Sequence, residues 1–193
     1  MKNLLKISLL ALTLVLSNTL SAKDIDVKVN KENRLVVELA NSQKGAELVL
    51  ADIHGEVLFK DYLKSSSYKK ALDLNEIPRG TYFLSIERED SILTTVISKS
   101  NKGVIVNDEN SKIFFKPFFK TVDGNKVKVS FTNPQYKDAN FRVYDDNGIE
   151  VASSVNNDLV VKKTFDFSNV PSGKYTISLL VGDQVVDKTL DIK

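Results

Sequence analysis

The sequence predicts an all-β fold, two tandem copies of one β-sandwich behind an N-terminal signal peptide. Three observations predict it. An apolar run of signal-peptide length opens the chain. A set of turn residues recurs at a constant offset of 93 positions. Between those turns lie short segments, several alternating in hydrophobicity, rather than helical periods.

The signal comes first. Lys2 and Lys6 form a positive start, and Ile7 to Leu16 is apolar throughout except for Ser8 and Thr13. That run is too short to cross a bilayer, which takes about 20 residues. Small and polar residues then lead to Ala22, so cleavage is expected there, leaving Lys23 as the first mature residue. No second long apolar run follows, so no transmembrane segment is expected after signal removal. The whole chain of 193 residues holds 27 Lys and Arg against 25 Asp and Glu. The signal takes two lysines with it, so the mature chain is neutral, with both signs interleaved. Such a surface carries no electrostatic footprint for nucleic acid. Cysteine is absent. Lipid attachment through a thiol and disulfide stapling are both excluded, and stability must come from packed cores.

The repeat follows. Asp52 and Gly55 recur as Asp145 and Gly148, and Pro78, Gly80 and Tyr82 recur as Pro171, Gly173 and Tyr175. The expected organisation is therefore 1–22 signal peptide, 23–100 first repeat and 101–193 second repeat. In the first repeat, strands are expected at 26–29, 34–39, 47–51, 56–62, 67–74, 81–87 and 92–97. Tyr82, Leu84 and Ile86 share one face, as do Tyr175, Ile177 and Leu179. About seven short strands per copy, separated by turn residues, spell an immunoglobulin-like sandwich. Between the copies, Gly103 to Val106 is an apolar patch in a polar stretch. It is expected to open the second repeat as a strand or to pack at the junction and fix the interdomain angle. Pro117 makes 113–119 an edge or bulged strand.

The candidate site residues are structural. Pro78 and Pro171 fix the backbone, and Gly80 and Gly173 let it turn into the next strand. Tyr82 and Tyr175 pack in the core and bond back to upstream backbone, as in a tyrosine corner. Gly55 and Gly148 serve hairpin turns. His54, the sole histidine, aligns with Asn147 and is expected to occupy a turn position of positive φ. Asp145 to Gly148 resembles the start of a calcium loop, but Ile149 and Val151 stand where oxygen ligands are needed, and an Asx-type turn is the expectation. No catalytic, cofactor-binding or metal-ligating residue is assigned. The only base for a nucleophilic triad is the turn histidine, and no phosphate-cradling glycine loop occurs. Asp90-Ser91-Ile92 is similar to the O-glycosylation site of exported Bacteroidota proteins, with Ser91 as acceptor.

On these residues each repeat resembles the type IX secretion C-terminal sorting domain of Bacteroidota. The matching features are Asp52…Gly55 followed by Leu74…Ile77-Pro78…Gly80…Tyr82, and again Asp145…Gly148 followed by Phe167…Val170-Pro171…Gly173…Tyr175. The resemblance implies a β-sandwich exported to the periplasm, the cell surface or the medium. The expected function is a non-enzymatic structural or protein-interaction module of the cell envelope. Its partner would be another envelope or surface protein, engaged through edge strands or loops. The alternatives are a carbohydrate-binding module, for which Phe114, Phe115, Phe118 and Phe119 are the aromatic candidates, and a periplasmic chaperone-like two-domain protein.

Overall fold

The computed structural model describes residues 25–40, 44–123 and 125–193. The expected signal segment Met1–Ala22, the cleavage site and Gly124 lie outside the described residues.

Among the described residues the chain is all-β. The first repeat forms β1 (Ile25–Val29), β2 (Leu35–Leu39), β3 (Glu47–Asp52), β4 (Val57–Tyr62), β5 (Tyr68–Leu72), β6 (Gly80–Glu87) and β7 (Ser91–Ser100). A long β8 (Gly103–Phe115) follows. The second repeat forms β9 (Phe118–Val122), β10 (Lys126–Thr132), β11 (Ala139–Tyr144), β12 (Glu150–Asn156), β13 (Val160–Asp166), β14 (Gly173–Val181) and β15 (Gln184–Ile192). The sheets run in the order β1-β2-β5 and β4-β3-β6-β7-β8 in the first half, and β9-β10-β13 and β12-β11-β14-β15 in the second. Leaving β8 aside, the two topologies are the same. All pairings are antiparallel.

Alternation builds each core. Leu35, Val37 and Leu39 of β2 face Leu48 and Leu50 of β3 and Leu84 and Ile86 of β6, all buried. In the second half Val127, Val129 and Phe131 face Phe141, Val143, Ile177 and Leu179. Phe141 meets Phe165 edge-on, with ring centroids 5.6 Å apart. The register repeats as well. Leu50 pairs with Leu84, and at an offset of 93 Val143 pairs with Ile177. A β-bulge interrupts β3–β4 between Leu50 and Ala51, and another interrupts β11–β12 between Val143 and Tyr144, the same place in each copy.

Of the two expectations for Gly103–Val106, packing at the junction agrees with the packing of Val104 and Val106 against the first core, and opening the second repeat does not. β8 does not open the second repeat. Gly103 turns back directly on Ser100, and β8 pairs along β7 from Lys99↔Val104 to Ser91↔Phe115. Asn33, in the turn after β1, accepts the Val104 N–H at 3.0 Å and holds the new strand on the first sandwich. Val104 is buried there and Val106 packs against the same core, while Ile105 points outward and is 54% exposed. Gly103–Phe115 therefore extends the five-stranded sheet of the first half rather than either sheet of the second. The change of sheet falls at Lys116-Pro117, where proline cannot donate to a ladder. Phe114, although in the first repeat's sheet, packs against the second core. One strand thus belongs to both halves and joins them.

Candidate functional site

The repeated turn residues are built alike in both copies. Asp52 Oδ1 accepts the backbone N–H of His54 at 2.8 Å and of Glu56 at 2.9 Å. Asp145 Oδ1 accepts those of Asn147 and Ile149, both at 2.9 Å. Gly55 and Gly148 take the positive φ, 84° and 76°. His54 does not, so the positive-φ role expected of it passes to Gly55, the next residue. These are Asx turns. In each turn the aspartate Oδ1 is already held by two backbone N–H groups. Among the described residues no group of three or more His, Cys, Asp or Glu is placed to hold a metal.

The backbone N–H of Glu56, followed by that of His54, keeps the Asp52 carboxyl below the usual carboxylate range. A depressed folded value means the bonds contribute stability above the unfolded value, about 3.9, and that this contribution disappears as pH falls through the folded value. Asp52 is accordingly expected to titrate below an unfolded-peptide aspartate in a carbon-detected NMR titration. A midpoint at or above the peptide's would contradict the turn geometry.

The corners match too. Tyr82 Oη donates to the Pro78 carbonyl at 2.5 Å, and Tyr175 Oη to the Pro171 carbonyl at 3.0 Å. Both rings are buried. Gly80 and Gly173 begin β6 and β14 immediately after those loops. Ser91 begins β7, is only 4% exposed, and donates through Oγ to Asp90 Oδ1 at 2.8 Å. A glycan on that oxygen would have to be attached before the strand folds.

The four aromatic candidates separate. Phe114 and Phe119 pack against the second core, Phe115 is half-buried, and Phe118 is exposed. They do not form one flat platform. A cleft of about 290 Å³ lies where the second half stands on the outer face of the five-stranded sheet. Phe83, Ile92 and Val96 line its first-repeat side, and Pro134, Gln135 and Lys137 its second-repeat side. That loop is held by Asn133, whose Nδ2 donates to the carbonyls of Lys137 and Asp158 and whose Oδ1 accepts the Lys137 N–H. In the second repeat Thr176 and Thr189 take the places of Phe83 and Val96 and bond each other at 3.1 Å. The apolar pair therefore occurs on the face that the neighbouring repeat covers.

Lys99 was not singled out by sequence reasoning. Its Nζ donates to the carbonyls of Leu74, Asn75 and Ile77, the last two at 2.7 and 2.5 Å, and fastens the loop before Pro78. The signal was available: at the same offset the second repeat carries Ile192, so a lysine replaces a core aliphatic.

The sheet edges form the remaining accessible surface of functional interest. β4 carries Lys60 and Asp61. Lys60 pairs with Glu47 at 2.6 Å, and Asp61 accepts from Tyr68 Oη at 3.0 Å and faces Lys70 at 3.6 Å. The Tyr68 hydroxyl holds the Asp61 carboxyl below its usual range. Its counterpart β12 reads Glu-Val-Ala-Ser-Ser-Val-Asn, with Val155 61% exposed.

Comparison with known proteins finds a family match in the first half of the chain. Residues 18–100 match the secretion system C-terminal sorting domain. The sorting-domain match coincides with the first repeat and includes its Asx turn and its tyrosine corner. It marks an exported protein bound for the cell surface or the extracellular space, and the matched family is non-catalytic. No curated protein matches the chain. Among solved structures, a two-domain fibronectin type III segment of chicken tenascin is similar at 12% identity, over 87% of this chain and 97% of that one, with a TM-score of 0.32. The BSP domain of a biofilm-associated protein is similar at 10% identity over 88% of this chain and 29% of that one, TM-score 0.30. The human OSCAR ligand-binding domain is similar at 11% identity over 87% and 96%, TM-score 0.25. Among the described residues no helix is long and apolar enough to cross a membrane.

Proposed function

We propose that this chain is an exported, non-enzymatic interaction module of the cell envelope, offering sheet edges and loops to another envelope or surface protein. The sorting-domain match over the first repeat carries the reading. Two features of the molecule support it. Apolar side chains stand exposed along the second repeat's edge, at Ile149, Val151, Val155, Leu159 and Val160, and strand edges offer unpaired backbone groups to an incoming chain. The shared strand β8 also gives the two repeats a common body on which those edges are held. Division into two repeats behind a cleaved signal belongs to the same proposal.

A carbohydrate-binding reading would require a row of exposed rings, and of the four clustered phenylalanines Phe118 alone is exposed. The edge reading therefore takes precedence over it and over the chaperone-like one. Fractionation of the native host, surface proteolysis and mass spectrometry of the purified protein test the proposal together. The expected result is a chain beginning at or near Lys23 and accessible from outside. A cytoplasmic chain retaining Met1–Ala22 would overturn it.

A further inference from the structure

We infer that β12 is a self-association edge, pairing antiparallel with β12 of a second copy of this chain about a two-fold axis at Ser154. The inference deepens the proposed edge-strand reading and rests on it.

The four sheets have eight edge strands: β1, β5, β4, β8, β9, β13, β12 and β15. Charge, lysine above all, is the usual device that keeps an edge from pairing with another chain. Every one of these strands carries a lysine except β12: Lys28, Lys69, Lys60, Lys112, Lys120, Lys162 and Lys188 guard the others. The contrast with β4 is position by position. Where β4 has Lys60, Asp61 and Tyr62, β12 has Ser153, Ser154 and Val155. The one acid of β12, Glu150, lies beyond the bulge and faces Arg142 at 3.8 Å. From Ala152 to Asn156 the pairing with β11 is regular and β12 itself is uncharged, the one charge across it being Arg142, opposite Ser153.

A second observation fixes the axis. Ser154 Oγ is buried and has no hydrogen-bond partner, the sole such side-chain atom among the described residues. Buried hydroxyls are normally satisfied. In a β12 pair centred on Ser154 the two Ser154 side chains stand directly opposite, with Cβ atoms about 4.5–5.5 Å apart, within reach of a mutual hydroxyl bond. The same register sets Ser153 against Val155 of the other copy, twice, and Ala152 against Asn156, so no like charges meet. The two four-stranded sheets become one of eight strands. A ladder this short buries little surface, so the association is expected to be weak and concentration-dependent.

Sedimentation of the purified chain from micromolar to near-millimolar concentration, with two paired variants, tests the register. Ser153 and Val155 are exposed, so both variants should melt as the parent does. Ser153→Lys with Val155→Lys places like charges opposite each other, and at least tenfold weaker dimerisation is expected. Ser153→Lys with Val155→Glu places opposite charges together and should dimerise within a few-fold of the parent. A parent that stays monomeric throughout overturns the inference. So does a double-lysine variant that dimerises like the parent, or a lysine–glutamate variant as weak as the double-lysine one. A monomeric parent that is nonetheless surface-exposed and correctly processed would leave the envelope-module reading standing, so the two failures are separable.

Discussion

Tyr175→Ala is expected to destabilise the second repeat by about 3–5 kcal/mol, the range for truncating a large buried aromatic. Tyr175 is buried against Phe167 at a centroid distance of 5.4 Å and touches the core that includes Ile177 and Leu190. Truncation removes that packing and also leaves the Pro171 carbonyl without its donor. Tyr175→Phe removes the bond alone and should cost about 1 kcal/mol. The difference between the two variants separates ring packing from the corner hydrogen bond. Denaturant unfolding followed by NMR signals from each repeat is the appropriate measurement, because a two-domain chain need not unfold in one step. First-repeat signals should lose less protection than second-repeat ones. Parent-like unfolding of the alanine variant would show that Tyr175 does not hold the corner.

The repeat was legible because its punctuation is side-chain chemistry. Asp52, Gly55, Pro78 and Tyr82 each do something local that few other residues can, and their spacing survives because the strands between them pair in a set register. The first strands were readable in place, but not their correspondence between the two copies. The core triplets Leu35-Val37-Leu39 and Val127-Val129-Phe131 correspond at an offset of 92, since the connection from there to the next core strand is one residue longer in the second copy. A comparison at 93 alone passes over them. β8 was concealed for a different reason. Asn101-Lys102 makes the tight turn without the usual Asn-Gly signature, and residues 107–112 are polar because this edge faces solvent and bulges opposite Thr95. The apolar Gly103–Val106 predicts a strand or junction packing, but the polar residues that continue it along β7 carry no such signal. The β12 edge needed topology: its lack of lysine means nothing until the other edges are known to have one. The buried Ser154 hydroxyl could not be seen at all without neighbours placed around it.

Lys99→Met is expected to destabilise the first repeat by about 2 kcal/mol, within the range for hydrogen bonds to a charged donor, and to leave the second repeat unchanged. Methionine keeps most of the aliphatic stem that a lysine packs on its way to a polar site, so the loss reports the ammonium. Three carbonyls, of Leu74, Asn75 and Ile77, then lose their common donor just before Pro78. The second repeat supplies the internal control. Ile192 occupies the matching position and is buried, so there the loop is held by apolar packing, with Val170 against the core. Two solutions to one problem predict opposite responses to one change. An apolar side chain at 99 leaves the carbonyls of Leu74, Asn75 and Ile77 without their common donor, while Ile192→Lys would place a charge where a buried aliphatic packs in the core. Hydrogen exchange of the 73–82 segment is the direct readout. Faster exchange there, with Tyr82 still buried, places the ammonium as the clasp of the loop. Unchanged exchange in Lys99→Met would mean that Pro78 and the tyrosine corner hold the loop without it.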